Sequence, residues 1–189
     1  MRSETQVIIR RILRDIQVEL KDEFDKNFER QAFFSESWQR RSSPTRRGGH
    51  ILVGTGSLRR SITSRVTDNS IRFYSTLPYA AIHNEGGEIT VTEKMKRFFW
   101  HKHMNAAGAL VFCRKKNGEL RKDKGTRQIS TEAEFWKHLA LMKVGSTIKI
   151  PRRQFLGASP EVEKAVTEII EENLNEYIED TIKNSFGKS

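Results

Sequence analysis

The chain has 189 residues, with 34 Lys plus Arg against 24 Asp plus Glu and a formal net charge of +10. With 36% hydrophobic and 31% charged residues, it is polar for a globule but too apolar for full disorder. No run approaches the roughly 20 apolar residues of a membrane span, the charged N-terminus lacks the apolar stretch of a signal peptide, and the lone Cys113 excludes an internal disulfide and a Cys-based zinc cluster.

Residues 5–33 carry Ile9, Ile12, Leu13, Ile16, Leu20, Phe24 and Phe28 at three- and four-residue spacing, which predicts a long amphipathic helix. Residues 35–50 are rich in Ser, Pro, Gly and Arg and read as a loop, with Trp38 as its large apolar anchor. A short apolar run, Ile51–Val53, follows. Thr55 is placed to cap a short helix over Gly56–Ile62, anchored by Leu58 and Ile62. Ser64–Val66 and Ile71–Tyr74 flank the turn-rich Thr67–Ser70, a hairpin pattern.

Pro78 opens a helical turn on which Tyr79, Ile82 and His83 share a face, and Gly86-Gly87 ends it. Ile89 and Val91 alternate with polar residues, as on a strand. Thr92 caps a helix predicted over Glu93–Met104. The pattern weakens over residues 105–145: a strand at Ala109–Cys113, a polar turn around Asn117-Gly118 and a short helix at Glu132–Leu141 are expected. This region reads as an insertion over the core. Ser146–Ile150 predicts a strand ended by Pro151. Ser159-Pro160-Glu161 starts a final helix with a stripe from Val162 to Ile182. The expected fold is therefore α+β: a small, mostly antiparallel sheet bracketed by long N- and C-terminal helices, one domain over residues 1–189 with an insertion at 105–145.

Charge is unevenly placed. Residues 94–127 have eleven basic and two acidic side chains, and residues 36–65 have seven Arg and one Glu. Residues 159–186 have eight acidic side chains and two Lys. This asymmetry fits nucleic acid, with Arg46, Arg47, Arg114, Lys115 and Lys116 as candidate DNA-facing cations, or a charge-complementary protein partner. A basic segment facing an acidic helix also suits head-to-tail assembly of identical subunits.

Catalytic patterns are missing. HExxH, P-loop, GxSxG and CxxC motifs do not occur. His101 and His103, two apart on a helix, point away from each other and cannot share a metal. His83-Asn84-Glu85 lacks a nucleophile, and Glu85 with Glu88 is too small a carboxylate set for a metal-dependent nuclease. No cofactor, metal site or enzymatic activity is expected.

Four segments then occur in order: Trp38 before the Ser/Thr/Arg loop; Ile51-Leu52-Val53-Gly54-Thr55-Gly56-Ser57-Leu58 with Ser61-Ile62; Tyr79-Ala80-Ala81-Ile82-His83-Asn84-Glu85-Gly86-Gly87; and Ile150-Pro151-Arg152-Arg153-Gln154-Phe155-Leu156-Gly157. Together they resemble the virion morphogenesis, or tail completion, family of tailed bacteriophages. Thr92–Trp100 also resembles members from phages and prophages of Bacteroides-like bacteria. Gln154 stands where many members have Pro, and residues 105–145 have no clear counterpart in the shorter members.

The resemblance implies a structural subunit of the head–tail joint or the head-proximal tail end, in a fold class whose members commonly form hexameric rings. It marks Trp38, Thr55, Gly56, Leu58, Tyr79, His83, Gly86, Gly87, Pro151, Arg153, Phe155, Leu156 and Gly157 as motif and assembly residues. The partners it implies are other copies of the chain and phage neck or tail-tube proteins, with weak non-specific DNA contact and no membrane. The implied setting is the virion, assembled in the host bacterial cytoplasm.

Overall fold

A computed structural model describes residues 4–41 and 49–186. Arg46 and Arg47 lie outside the described residues. In chain order the elements are α1 (Glu4–Arg30), β1 (Ala32–Phe33), β2 (Glu36–Ser37), α2 (Ser57–Arg60), β3 (Ile62–Val66) and β4 (Ile71–Ser75). Then come α3 (Ala80–Glu85), β5 (Gly87–Thr90), α4 (Glu93–Val111), α5 (Lys124–Leu141), β6 (Thr147–Ile150) and α6 (Pro160–Phe186). The class is α+β, with long helices at both ends. The strands pair antiparallel as three separate two-stranded ladders, β1–β2, β3–β4 and β5–β6, instead of joining in one sheet.

The described chain divides into two compact units. The first runs up to Trp38, continues through His50–Glu85 and resumes from Arg152. Its core is the inner face of α1, where Ile16, Leu20, Phe24 and Phe28 pack with Phe33, Trp38, Leu58, Ile62, Ala80 and Phe155. Phe28 is fully buried, edge-on to Trp38 at 5.5 Å and tilted against Phe155 at 5.3 Å. Such aromatic pairs add to the burial term, which is about 1.5–3 kcal/mol for each large apolar side chain. Val162, Ala165, Val166, Ile169 and Ile170 of α6 cover the same core. The apolar stripe of α6 continues beyond it, and Leu174, Tyr177, Ile178 and Ile182 remain exposed.

Within this unit, β3 and β4 form the predicted hairpin, with Val66 opposite Ile71 and a bond from Thr67 N to Ser70 O. The helix expected over residues 5–33 ends at Arg30, and Ala32–Phe33 instead forms a strand that pairs with Glu36–Ser37 at the start of the expected loop, with Phe33 turned into the core. The helix expected over Gly56–Ile62 is shorter, and Thr55 does not cap it. Gly56 occupies the cap position in a left-handed conformation (φ 75°), and the Thr55 hydroxyl bonds to that of Ser57. Ile62 belongs to β3.

The second unit holds Gly86–Pro151, along with the described residues between Gln39 and Gly49. β5 and β6 pair from Gly87–Ile150 to Thr90–Thr147. Thr92 caps α4 through Met95 N at 3.2 Å. α4 runs on to Val111, so the strand expected at Ala109–Cys113 is helix in its first three residues. The helix expected from Glu132 starts instead at Lys124, where the Asp123 carboxylate accepts Thr126 N at 2.8 Å.

α4 and α5 pack antiparallel along their length. Trp136 contacts Phe98 and Phe99, both at 5.9 Å, and further along His103 Nδ1 meets the Ala133 carbonyl at 2.9 Å. The small residues Ala133 and Ala140 are buried, which suits close helix approach.

Candidate functional site

The sequence motifs meet around one backbone segment, residues 153–156. Trp38 turns its indole N–H onto the Gln154 carbonyl at 2.6 Å. The Asn84 side-chain oxygen, near the end of α3, accepts from both Phe155 N and Leu156 N at 3.0 Å. The His83 carbonyl accepts from Arg153 N at 2.8 Å. Asn27, fully buried on α1, reaches the Phe155 carbonyl at 3.5 Å through its amide nitrogen and accepts Phe34 N at 3.0 Å through its oxygen. Phe155 is thereby seated against Phe28, 1% exposed. Irregular backbone cannot satisfy its own polar groups, so side chains and neighbouring turns satisfy them here.

Arg153 is buried, 8% exposed. Burial first, and then the Arg153 charge, hold the His83 imidazole below its ordinary pKa. Tyr79 stands edge-on to the His83 ring at 6.1 Å and keeps its own surface exposed. Leu156 is partly buried against the core. Gly157 adopts φ 134°, and a Cβ there would sit 3.0 Å from the Gln154 amide nitrogen. Only glycine adopts that backbone readily.

The structure therefore brings Trp38, His83, Arg153, Phe155 and Leu156 together, with Leu58 in the same core. Thr55 and Gly56 sit at the start of α2. Gly86 (φ 76°) and Gly87 (φ 149°) join α3 to β5, and Pro151 follows β6. Sequence reasoning missed the anchoring roles of Asn27 and Asn84. Asn27 lies on the apolar stripe of α1, three residues after Phe24, and a polar residue at such a position signals a buried hydrogen bond.

The knot is built to hold backbone in place. Among the described residues, no three His, Cys, Asp or Glu side chains converge as metal ligands. His101 bonds to Asn105 and His103 to the Ala133 carbonyl. Glu85 and Glu88 are exposed.

Arg114, Lys115 and Lys116 are exposed on the connection between α4 and α5. That connection is an ordered small hairpin. Arg114 bridges Leu120, Lys115 N bonds to Glu119 O at 2.7 Å, and Arg121 N bonds to Cys113 O at 2.9 Å. Phe112 at its base is 84% exposed. On α6, Glu171, Glu172 and Asp180 flank the exposed stripe.

The fold is α+β, with an internal backbone clamp in the first unit. The sequence profile of the phage virion morphogenesis family matches residues 3–175, and the chain belongs to that family. No curated protein and no solved structure matches the chain. No helix among the described residues is long and apolar enough to cross a membrane.

Proposed function

We propose that the chain is a structural subunit of the phage head–tail joint or the head-proximal tail end, which assembles head to tail with further copies into a ring, a hexamer, and catalyses no reaction. Its partners on this reading are its own copies and the neck or tail-tube proteins, and its setting is the virion, after assembly in the cytoplasm of a Bacteroides-like host. Residues 105–145 are then an insertion that gives the basic surface of the same domain.

The observation that carries the reading is the division of charge within a family of virion morphogenesis proteins. The basic surface lies on α4, α5 and their connection, and the acidic surface lies on α6. Opposite signs on different elements favour heterologous contact between identical copies, which closes into a ring when the rotation per copy divides the circle.

Deletion of the gene from an inducible phage, followed by electron microscopy of the lysate, tests the reading. Filled heads and separate tails are expected, with joining restored by the gene supplied in trans. Joined, infectious particles from the deletion would refute it.

A second reading, a nucleic-acid-binding protein, draws on the same exposed cations. It predicts a complex with duplex DNA that survives about 0.2 M salt. The ring reading expects only weak, sequence-independent binding that salt removes as counterions are released.

A further inference from the structure

Two exposed surfaces have no occupant among the described residues, and their chemistry matches. The first is the tip between α4 and α5. Its backbone bonds hold residues 113–121 as a hairpin, with Gly118 at φ 83° in the turn and the Arg114 guanidinium on the Gly118 carbonyl at 2.7 Å. Lys116, Arg121, Lys122 and Lys124 are exposed there and make no ion pair among the described residues. Asp123 caps α5 and keeps its charge, and residues 113–124 still carry six Lys or Arg side chains against Glu119 and Asp123. Val111, Phe112 and Leu120 add exposed apolar surface to the same tip.

The second surface is the distal half of α6. Leu174, Tyr177, Ile178 and Ile182 lie at helical spacing on one face, and Ile178 is 52% exposed. Around them, Glu176 pairs with Arg11 and Glu179 with Lys183, while Glu171, Glu172 and Asp180 make no ion pair among the described residues.

We propose that the α4–α5 tip of one copy docks on the distal face of α6 of a second copy, with Phe112 against Tyr177 and Ile178 and the tip cations against Glu171, Glu172 and Asp180. This deepens the ring reading and rests on it. The occupant is a second copy because both requirements are met at once. Phosphate would satisfy the cations but would leave Phe112, Val111 and Leu120 in water. The α6 face offers carboxylates and apolar side chains together. The tip and the α6 face are different patches, so the contact is heterologous and can propagate around a ring.

The test is zero-length carbodiimide cross-linking of a mixture of unlabelled and nitrogen-15-labelled full-length protein at high concentration, read by mass spectrometry. Mixed-isotope links between residues 114–124 and residues 171–183 are expected. A chain that gives no such links, or mixed links only elsewhere, would overturn the proposal.

Charge reversal sharpens it. Lys116→Glu with Arg121→Glu should weaken self-association at least about tenfold by sedimentation velocity, and so should Glu172→Lys with Asp180→Lys. Circular dichroism checks that both variants fold. Mixing the two in equal amounts should restore association, because each then meets an opposite charge in an alternating ring. Failure to restore it overturns the contact. Loss of duplex-DNA binding in the tip variant, with self-association unchanged, would assign the tip to nucleic acid and also overturn it. Detection of the chain in purified particles is independent of all these outcomes. A failed contact with the chain present in the virion leaves the structural reading standing.

Discussion

Asn84 and His83 sit side by side at the end of α3 and serve the same backbone segment by different means. The Asn84 oxygen satisfies two amides at once, Phe155 N and Leu156 N. Asn84→Ala leaves both without that acceptor, at about 1–3 kcal/mol for each buried group that stays unpaired. Asn84→Asp keeps the oxygen acceptor and should recover most of the loss. Denaturant unfolding of the two variants checks this, and equal destabilisation of both would show that the acceptor is not what matters.

His83 gives a pH prediction. Its folded pKa is lowered, first by burial and then by Arg153, so the unfolded chain binds the proton more readily. Stability is therefore full above the ordinary histidine value, near pH 6.5, and falls as pH drops below it. His83→Gln should flatten the fall in unfolding free energy below about pH 6.5. The carboxylates with lowered pKa, Glu23, Asp123 and Glu161, lose their contribution only at more acidic pH. An unchanged slope in the variant would contradict the assignment.

At the scale of the element, α4 and α5 meet through small residues. Ala140 is 1% exposed, and Ala140→Leu has no space to enter. Overpacking of this kind costs about 1–3 kcal/mol, and thermal unfolding should record it. Gly157→Ala forces an L side chain to φ 134° and onto the Gln154 amide, so a loss of stability is expected there too.

These elements also explain what the sequence made visible. The stripe from Ile16 to Phe28 repeats at the helical period over several turns, so α1 was legible, as was the β3–β4 hairpin around its polar turn. Ala109–Cys113 was not, because a short apolar run fits a strand or a buried helix equally well and only packing against α5 decides. Thr55 has the right chemistry for a cap, but the left-handed Gly56 takes the position. The clamp on residues 153–156 was legible as four ordered motifs, yet their convergence was not. Asn27 and Asn84 bond across 128 and 71 residues, and no local period encodes such a distance.

For the whole molecule, the net charge of +10 hides a separation between a basic middle and an acidic end. Contacts built on that separation are screened over about 8–10 Å at physiological salt. Self-association of the purified chain should therefore weaken as salt rises, while its folding stability changes little. Sedimentation velocity and denaturant unfolding across a salt series check the two halves of that statement. Salt-insensitive association would point to a purely apolar contact.

The central claim is that this chain is a ring-forming structural component of the virion. Symmetry-averaged electron cryomicroscopy of purified particles, with the chain carrying a small fused tag, tests it most directly. The account predicts tag density repeated around a closed ring at the head-proximal end of the tail. Particles that are joined and complete but contain none of the chain would contradict it.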